Sequence, residues 1–289
     1  MRERVTLPAA ELTLGVTLAV LGAAFLHALW NALLKSAAGD AMLDTSLIVA
    51  GSSVVGLCVL PFIHLPIRAA WPFIAVSATI HFAYYVTLAG AYKRGDLSFA
   101  YPLMRGVAPL IVTLLGIVFL HEHPTLQTSA GIVLISLGIL TIAWFAGGRH
   151  TLASAGWALS NAMIIALYTL IDGAGARASG DPAAYVTWLV FLEGLPFLAW
   201  ILHTRGRSAL AYWRLRWRRG IGGGAASLAA YAIVLWAMTR APVAVVAALR
   251  EVSVVFAALM GVTALKEGFG WKRVAGAATV VLGVAALRL

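Results

Sequence analysis

Residues 102–122 read PLMRGVAPLIVTLLGIVFLHE, and residues 247–267 read AALREVSVVFAALMGVTALKE. Overlaid at an offset of 145 positions, they match Arg105 with Arg250, Gly116 with Gly261, Leu120 with Leu265 and Glu122 with Glu267. The same offset pairs Gly131 with Gly276 and Gly138 with Gly283. The chain is an internal duplication, and each copy carries one arginine inside an otherwise apolar run. A charge at membrane depth is costly, so its presence there points to a function. Proteins that carry solutes across membranes are often built from two repeats with the binding site where they meet. The pattern points to solute transport.

Composition sets the class. Of 289 residues, 62% are hydrophobic and 11% charged, and the mean hydropathy is +0.92. A soluble domain carries roughly 25% charged residues. Long apolar runs recur along the whole chain, which makes it an all-α integral membrane protein. The single cysteine, Cys58, excludes an internal disulfide. The opening MRERVTLPAAELTLGVTLAV has a basic start, but its apolar stretch runs on to about Leu34 with no cleavage signal, so it reads as a first spanning helix.

Ten spans meet the roughly 20-residue length a bilayer requires. They cover 12–34, 45–63, 71–92, 97–120, 126–146, 152–173, 183–203, 221–240, 243–265 and 271–288, with a polar link over 203–220. Five fall in each half, giving two five-helix repeats over 1–148 and 149–289. The opening helices of the halves also align, HALWNALLK (27–35) with IALYTLID (165–172). An odd number of crossings per half inverts the second repeat relative to the first, so matched residues lie at mirrored depths. Lys35 and Asp172 then belong near opposite faces.

The same symmetry puts both arginines near the midplane. Arg105 lies eight residues into the fourth span and Arg250 eight residues beyond Pro242. At about 1.5 Å per residue each is roughly 12 Å deep, approached from opposite sides. Glu193 and Glu251 fall at similar depth. A planar guanidinium suits a carboxylate or phosphate, and a desolvated glutamate can exchange protons. Arg105 and Arg250 are therefore candidate substrate anchors, with Glu193 and Glu251 as proton-coupling candidates. The competing expectation is a buried ion-pair set that only orients helices. Adjacent helical residues point about 100° apart, so Arg250 and Glu251 are expected to face different neighbours. Pro102 and Pro109 bracket Arg105 and predict either an interrupted fourth helix or a simple kink that aids packing; the ninth span, with Pro242 only at its start, lacks the device.

Asn31, His81, Tyr84, Tyr168 and Trp188 complete the expected substrate-binding wall. In the first span His27, Asn31 and Lys35 form one stripe; in the sixth, Asn161, Tyr168 and Asp172 share a face. Tyr185 and Trp236, near span ends, read as interfacial anchors. His121-Glu122-His123 converges poorly for a metal, and Glu122 and Glu267 read as caps of the turns after spans four and nine. No cofactor motif is present, and no nucleophile, base or metal cluster marks an enzyme. The arginines between Arg205 and Arg219, interleaved with Trp213 and Trp217, suit anionic lipid headgroups at the interface rather than nucleic acid.

These residues carry a resemblance. HALWNALLK, the stretch AYKRGDLSFAYPLMRGVAPL (91–110) with its following His-Glu, YTLIDGAGAR (168–177) and APVAVVAALREVSVVFAALMGVTALKE (241–267) resemble EamA-type transporters of the drug/metabolite transporter superfamily. The resemblance implies ten helices, a central cavity and movement of small organic solutes such as amino acids, often outward, across the inner (plasma) membrane. It also implies cytoplasmic termini. The basic residues sit mainly in loops after odd-numbered spans, which by the positive-inside rule places the termini outside. Proton-driven export of lipophilic cations is the alternative function, and an enzyme acting on a lipid-linked substrate a third.

Overall fold

The structure, a computed structural model, describes residues 12–35, 40–94, 97–145, 151–265 and 270–288. Eleven α-helices follow one another: α1 (Leu14–Lys35), α2 (Ala41–Val59), α3 (Trp71–Arg94), α4 (Leu97–Phe119), α5 (Leu126–Phe145), α6 (Leu152–Ser179), α7 (Pro182–Arg205), α8 (Arg207–Met238), α9 (Val243–Arg250), α10 (Ser253–Leu265) and α11 (Trp271–Ala286). Nine crossings among the described residues are long and apolar enough to span a bilayer. The last helix, α11, with 16 residues, is shorter than these nine.

Short polar motifs set the corners. Asp40 and Thr151 cap α2 and α6 by accepting from the backbone N–H groups of Met42 and Ser154. Asp181 accepts from Ala183 and Ala184 at the start of α7, where Pro182 needs no hydrogen-bond partner. Gly180, at φ 69°, closes α6 in the left-handed conformation that glycine adopts without strain.

A glycine seam fixes how the repeats meet. Helices α5 and α11, equivalent by the 145-residue offset, pack against each other. A Cβ on Gly138 would lie 2.6 Å from the Gly276 carbonyl oxygen, and one on Gly276 would lie 2.8 Å from that of Gly138. Gly131 and Gly283 make the same reciprocal approach at 3.0 and 2.8 Å. Higher numbers on one helix meet lower numbers on the other, so equivalent helices run antiparallel. The repeats are inverted, as an odd number of crossings requires. Small residues let the backbones close to this distance without lipid between them.

Three expectations are corrected. The fourth span, with both prolines, is one continuous helix, whereas the ninth breaks between α9 and α10 with no proline at the break. There the bonding tightens to i→i+3: Glu251 N–H donates to the Ala248 carbonyl (3.1 Å) and Val252 N–H to that of Leu249 (3.2 Å). The third correction is the link at 203–220, which is helical. Its 32-residue helix α8 is kinked at Arg216. At 1.5 Å per residue α8 exceeds the roughly 30 Å hydrocarbon core, so its first dozen residues project beyond it. Tyr212 donates to Asp44, Trp213 to Ser46 (3.0 Å) and Arg205 to Asp40 (2.7 Å), docking this end on the start of α2.

Candidate functional site

A cavity of about 150 Å³ lies inside the helix bundle. Its wall draws on the C-terminal halves of α1 and α3, the N-terminal halves of α2 and α4, the middles of α6 and α7, the second half of α8 and the last residue of α9. It extends from the midplane toward the face where α1 and α3 end. Arg105, Arg250, Glu193, His81, Tyr84, Asn31 and Tyr168 all line it.

One wall is cationic. Arg105 Nε lies 2.5 Å from Glu251 Oε2, and Arg250 Nε lies 3.5 Å from Glu251 Oε1. Arg250 also donates to the Thr169 hydroxyl at 3.5 Å. Both arginines reach the cavity, but Glu251 is 0% exposed and takes no part in the wall. Adjacent side chains thus converge on one ion-pair set, contrary to the expectation from helical angles. The break after Arg250 makes this possible. Among the described residues, one carboxylate between two guanidinium groups leaves one positive charge without a counter-ion. Arg105 Nη2 is buried and has no hydrogen-bond partner among the described residues.

The opposite wall is acidic and aromatic. Glu193 Oε1 accepts from the Tyr85 hydroxyl at 3.2 Å, and Oε2 lies 3.2 Å from His81 Nδ1. His81 Nδ1 is also 3.0 Å from the Ser77 carbonyl, which can only accept, so that nitrogen carries a hydrogen. The His81 ring packs 4.3 Å from that of Tyr168. Below this wall Asp172 is sealed, accepting from the hydroxyls of Tyr185 (2.8 Å) and Tyr231.

A scan against family models matches the EamA-like transporter family over residues 13–144 and again over 152–289. The chain belongs to the EamA-like transporter family. This transporter also shares its fold with a solved structure described only as a crystal structure of a protein. The two are 21% identical, with a TM-score of 0.75 over 95% of this chain and 98% of that one. No curated protein matches it.

Several residues of this EamA-like transporter stand apart from their sequence-based roles. Trp188 is not in the cavity wall; its ring packs 5.5 Å from that of Trp71. Asn161 ties α6 to α3, donating to the Tyr84 carbonyl (3.0 Å) and the Thr87 hydroxyl (2.8 Å). Tyr185 is fully buried rather than interfacial. Glu122 does not close its own turn. It accepts from the Val243 and Ala244 backbone N–H groups, at the start of α9. Glu267 lies outside the described residues, as does the Lys35 side chain. No metal-binding group of three is found among the described residues. The wall contributed by α2 was missed, although Thr45, Ile48, Val49 and Ser52 follow the i, i+3, i+4, i+7 spacing of one helix face.

Proposed function

We propose that this EamA-like protein is a secondary transporter exporting a small organic solute with a carboxylate, amino-acid-like in size and charge. The observation that carries this is Arg105, which lines the cavity as one of two guanidinium groups that share a single carboxylate among the described residues. A monoanionic group restores the balance, and Glu193 across the cavity suits an ammonium on the same solute. The cavity volume, about 150 Å³, fits a small metabolite rather than a drug-sized ligand. With α1 beginning on the cytoplasmic side of the inner membrane, the cavity faces outward, the side on which an exported solute leaves. Glu193, buried yet cavity-lining, is the group we assign to proton exchange; sealed Glu251 is not.

The basic start of α8 belongs to the headgroup layer. Arg207 and Arg214, seven residues apart, are exposed on one stripe facing away from the buried Ala209, and Arg218 is exposed beyond the kink at Arg216. Anionic lipid is its natural partner.

Thermal-shift measurements on purified protein test the solute class with a panel of zwitterions, monocarboxylates and lipophilic cations. A ligand at 100-fold its Kd stabilises by about 2.7 kcal/mol. Stabilisation by carboxylate-bearing solutes that disappears in Arg105→Ala supports the proposal. Stabilisation by lipophilic cations alone, unchanged by that substitution and lost in Glu193→Gln, would transfer the assignment to cation export. That second reading draws on the aromatic wall of Tyr84, Tyr85 and Tyr168 around Glu193.

A further inference from the structure

Helix α9 is eight residues long and every one of them is buried. Its N-cap, Pro242, supplies no side-chain acceptor. The first-turn N–H groups of such a helix need an acceptor from elsewhere. Glu122 provides it across the repeat boundary, taking Val243 N–H at 2.6 Å and Ala244 N–H at 3.3 Å. Its position depends on the α4–α5 corner, where His121 adopts φ 53° and Glu122 N–H returns to the Gly116 carbonyl at 3.1 Å. A carboxylate at a helix start also meets the positive end of the helix dipole.

Arg177 completes the arrangement from the end of α6. Its Nε donates to the Met238 carbonyl (2.8 Å) and its Nη2 to that of Ala241 (3.0 Å), capping the end of α8. The same Nη2 lies 3.6 Å from Glu122 Oε1. The cluster therefore joins the first repeat, through one corner, to the starts and ends of three helices of the second. It lies at the face where α1 begins, opposite the face toward which the cavity extends.

We infer that Glu122 and Arg177 form the gate that holds this face shut, with α9 linking the gate to the guanidinium site. Seven residues separate Val243 from Arg250, about 10 Å of continuous helix. One end of α9 is held by Glu122; the other presents Arg250 to the cavity and is followed directly by the break. A solute anion that binds the unbalanced guanidinium pair shifts Arg250, the free end of a rigid, fully packed element, and the held end moves with it. The clamp suits reversible opening because its side chains reach water: Glu122 is 11% exposed and Arg177 33%. On separation both are hydrated, and no buried charge is stranded. The glycine seam of α5 and α11 has no such freedom and stays closed.

This inference rests on the transport reading, and its test reads access rather than flux. Ala230, a cavity-wall residue of α8, is replaced by cysteine in a Cys58→Ser background. A membrane-impermeant maleimide is then applied to intact cells and to inverted vesicles. With Glu122 intact, labelling comes predominantly from the side toward which the cavity extends. In Glu122→Ala, labelling from the opposite side rises about tenfold, the effect of losing two capping bonds and an ion pair. Arg177→Met shows the same rise, whereas Glu122→Gln, which keeps an acceptor oxygen, shows a smaller one. Unchanged labelling in folded Glu122→Ala overturns the inference. So does failure of all three variants to fold, since a clamp needed for folding is not a gate. If access changes while no solute stabilises the protein, the gate stands and the solute class fails.

Discussion

Glu251 stands directly behind Arg105, with Oε2 2.5 Å from Nε, and is screened from the cavity that Arg105 lines. The carboxylate holds two guanidinium groups at the midplane while exchanging nothing with the cavity. Its role is to position. Glu251→Ala should therefore act on folding before it acts on transport, because two buried cations would lose their shared counter-ion. Breaking a buried pair from one side costs about 3–5 kcal/mol. Denaturant or thermal unfolding of the purified variant should show that loss, or no folded protein at all; near-wild-type stability would contradict the assignment.

Glu193 is expected to behave differently. Its carboxyl lines the cavity and meets Tyr85 and His81. Glu193→Gln keeps the shape, an acceptor for Tyr85 and the guanidinium anchor, so the variant should fold and still exchange solute across proteoliposome membranes, with weaker affinity for a solute that bears an ammonium. Accumulation driven by a pH gradient should vanish. Accumulation equal to wild type would remove Glu193 from coupling.

The seam between the repeats makes a prediction about packing alone. A side chain on Gly138 would collide with the Gly276 backbone, so Gly138→Leu should destabilise by roughly 1–3 kcal/mol or more. Gly22→Leu in α1, where a Cβ meets nothing within 4 Å, serves as the neutral control. Comparable melting temperatures for the two variants would argue against the antiparallel seam.

Lipid dependence follows from the projecting end of α8. Each arginine near an anionic surface contributes about 1 kcal/mol of attraction. Replacing Arg207, Arg214 and Arg218 with Gln should abolish the extra thermal stability expected in nanodiscs with phosphatidylglycerol over those with phosphatidylcholine alone. A wild-type protein indifferent to lipid charge would refute this.

Much of the architecture was legible in the sequence. Span length against bilayer thickness gave the crossings, and the 145-residue offset gave the inversion that the glycine seam displays. The midplane depth of Arg105 and Arg250 followed from counting residues, and both line the cavity. What failed was local. Pro102 and Pro109 suggested a broken helix where α4 is continuous, because packed neighbours in a membrane can satisfy freed carbonyls. The real break, after Arg250, has neither proline nor glycine to announce it, and it lets Arg250 and Glu251 join one ion-pair set. Trp188 packs against Trp71 and Tyr185 donates to Asp172, partners on other segments that local sequence does not reveal. Glu122 was recognised as a cap, but the helix it caps lies 121 residues away in sequence, beyond the reach of local motifs.

Counterflow through proteoliposomes most directly tests whether the midplane guanidinium pair receives the solute. The solute giving the largest thermal shift is loaded inside, its labelled form is supplied outside, and wild type is compared with Arg105→Ala and Arg105→Lys at equal protein content. Exchange should be lost in the alanine variant and partly retained in the lysine variant, which keeps the charge without the planar fork. Wild-type exchange in folded Arg105→Ala would contradict the account.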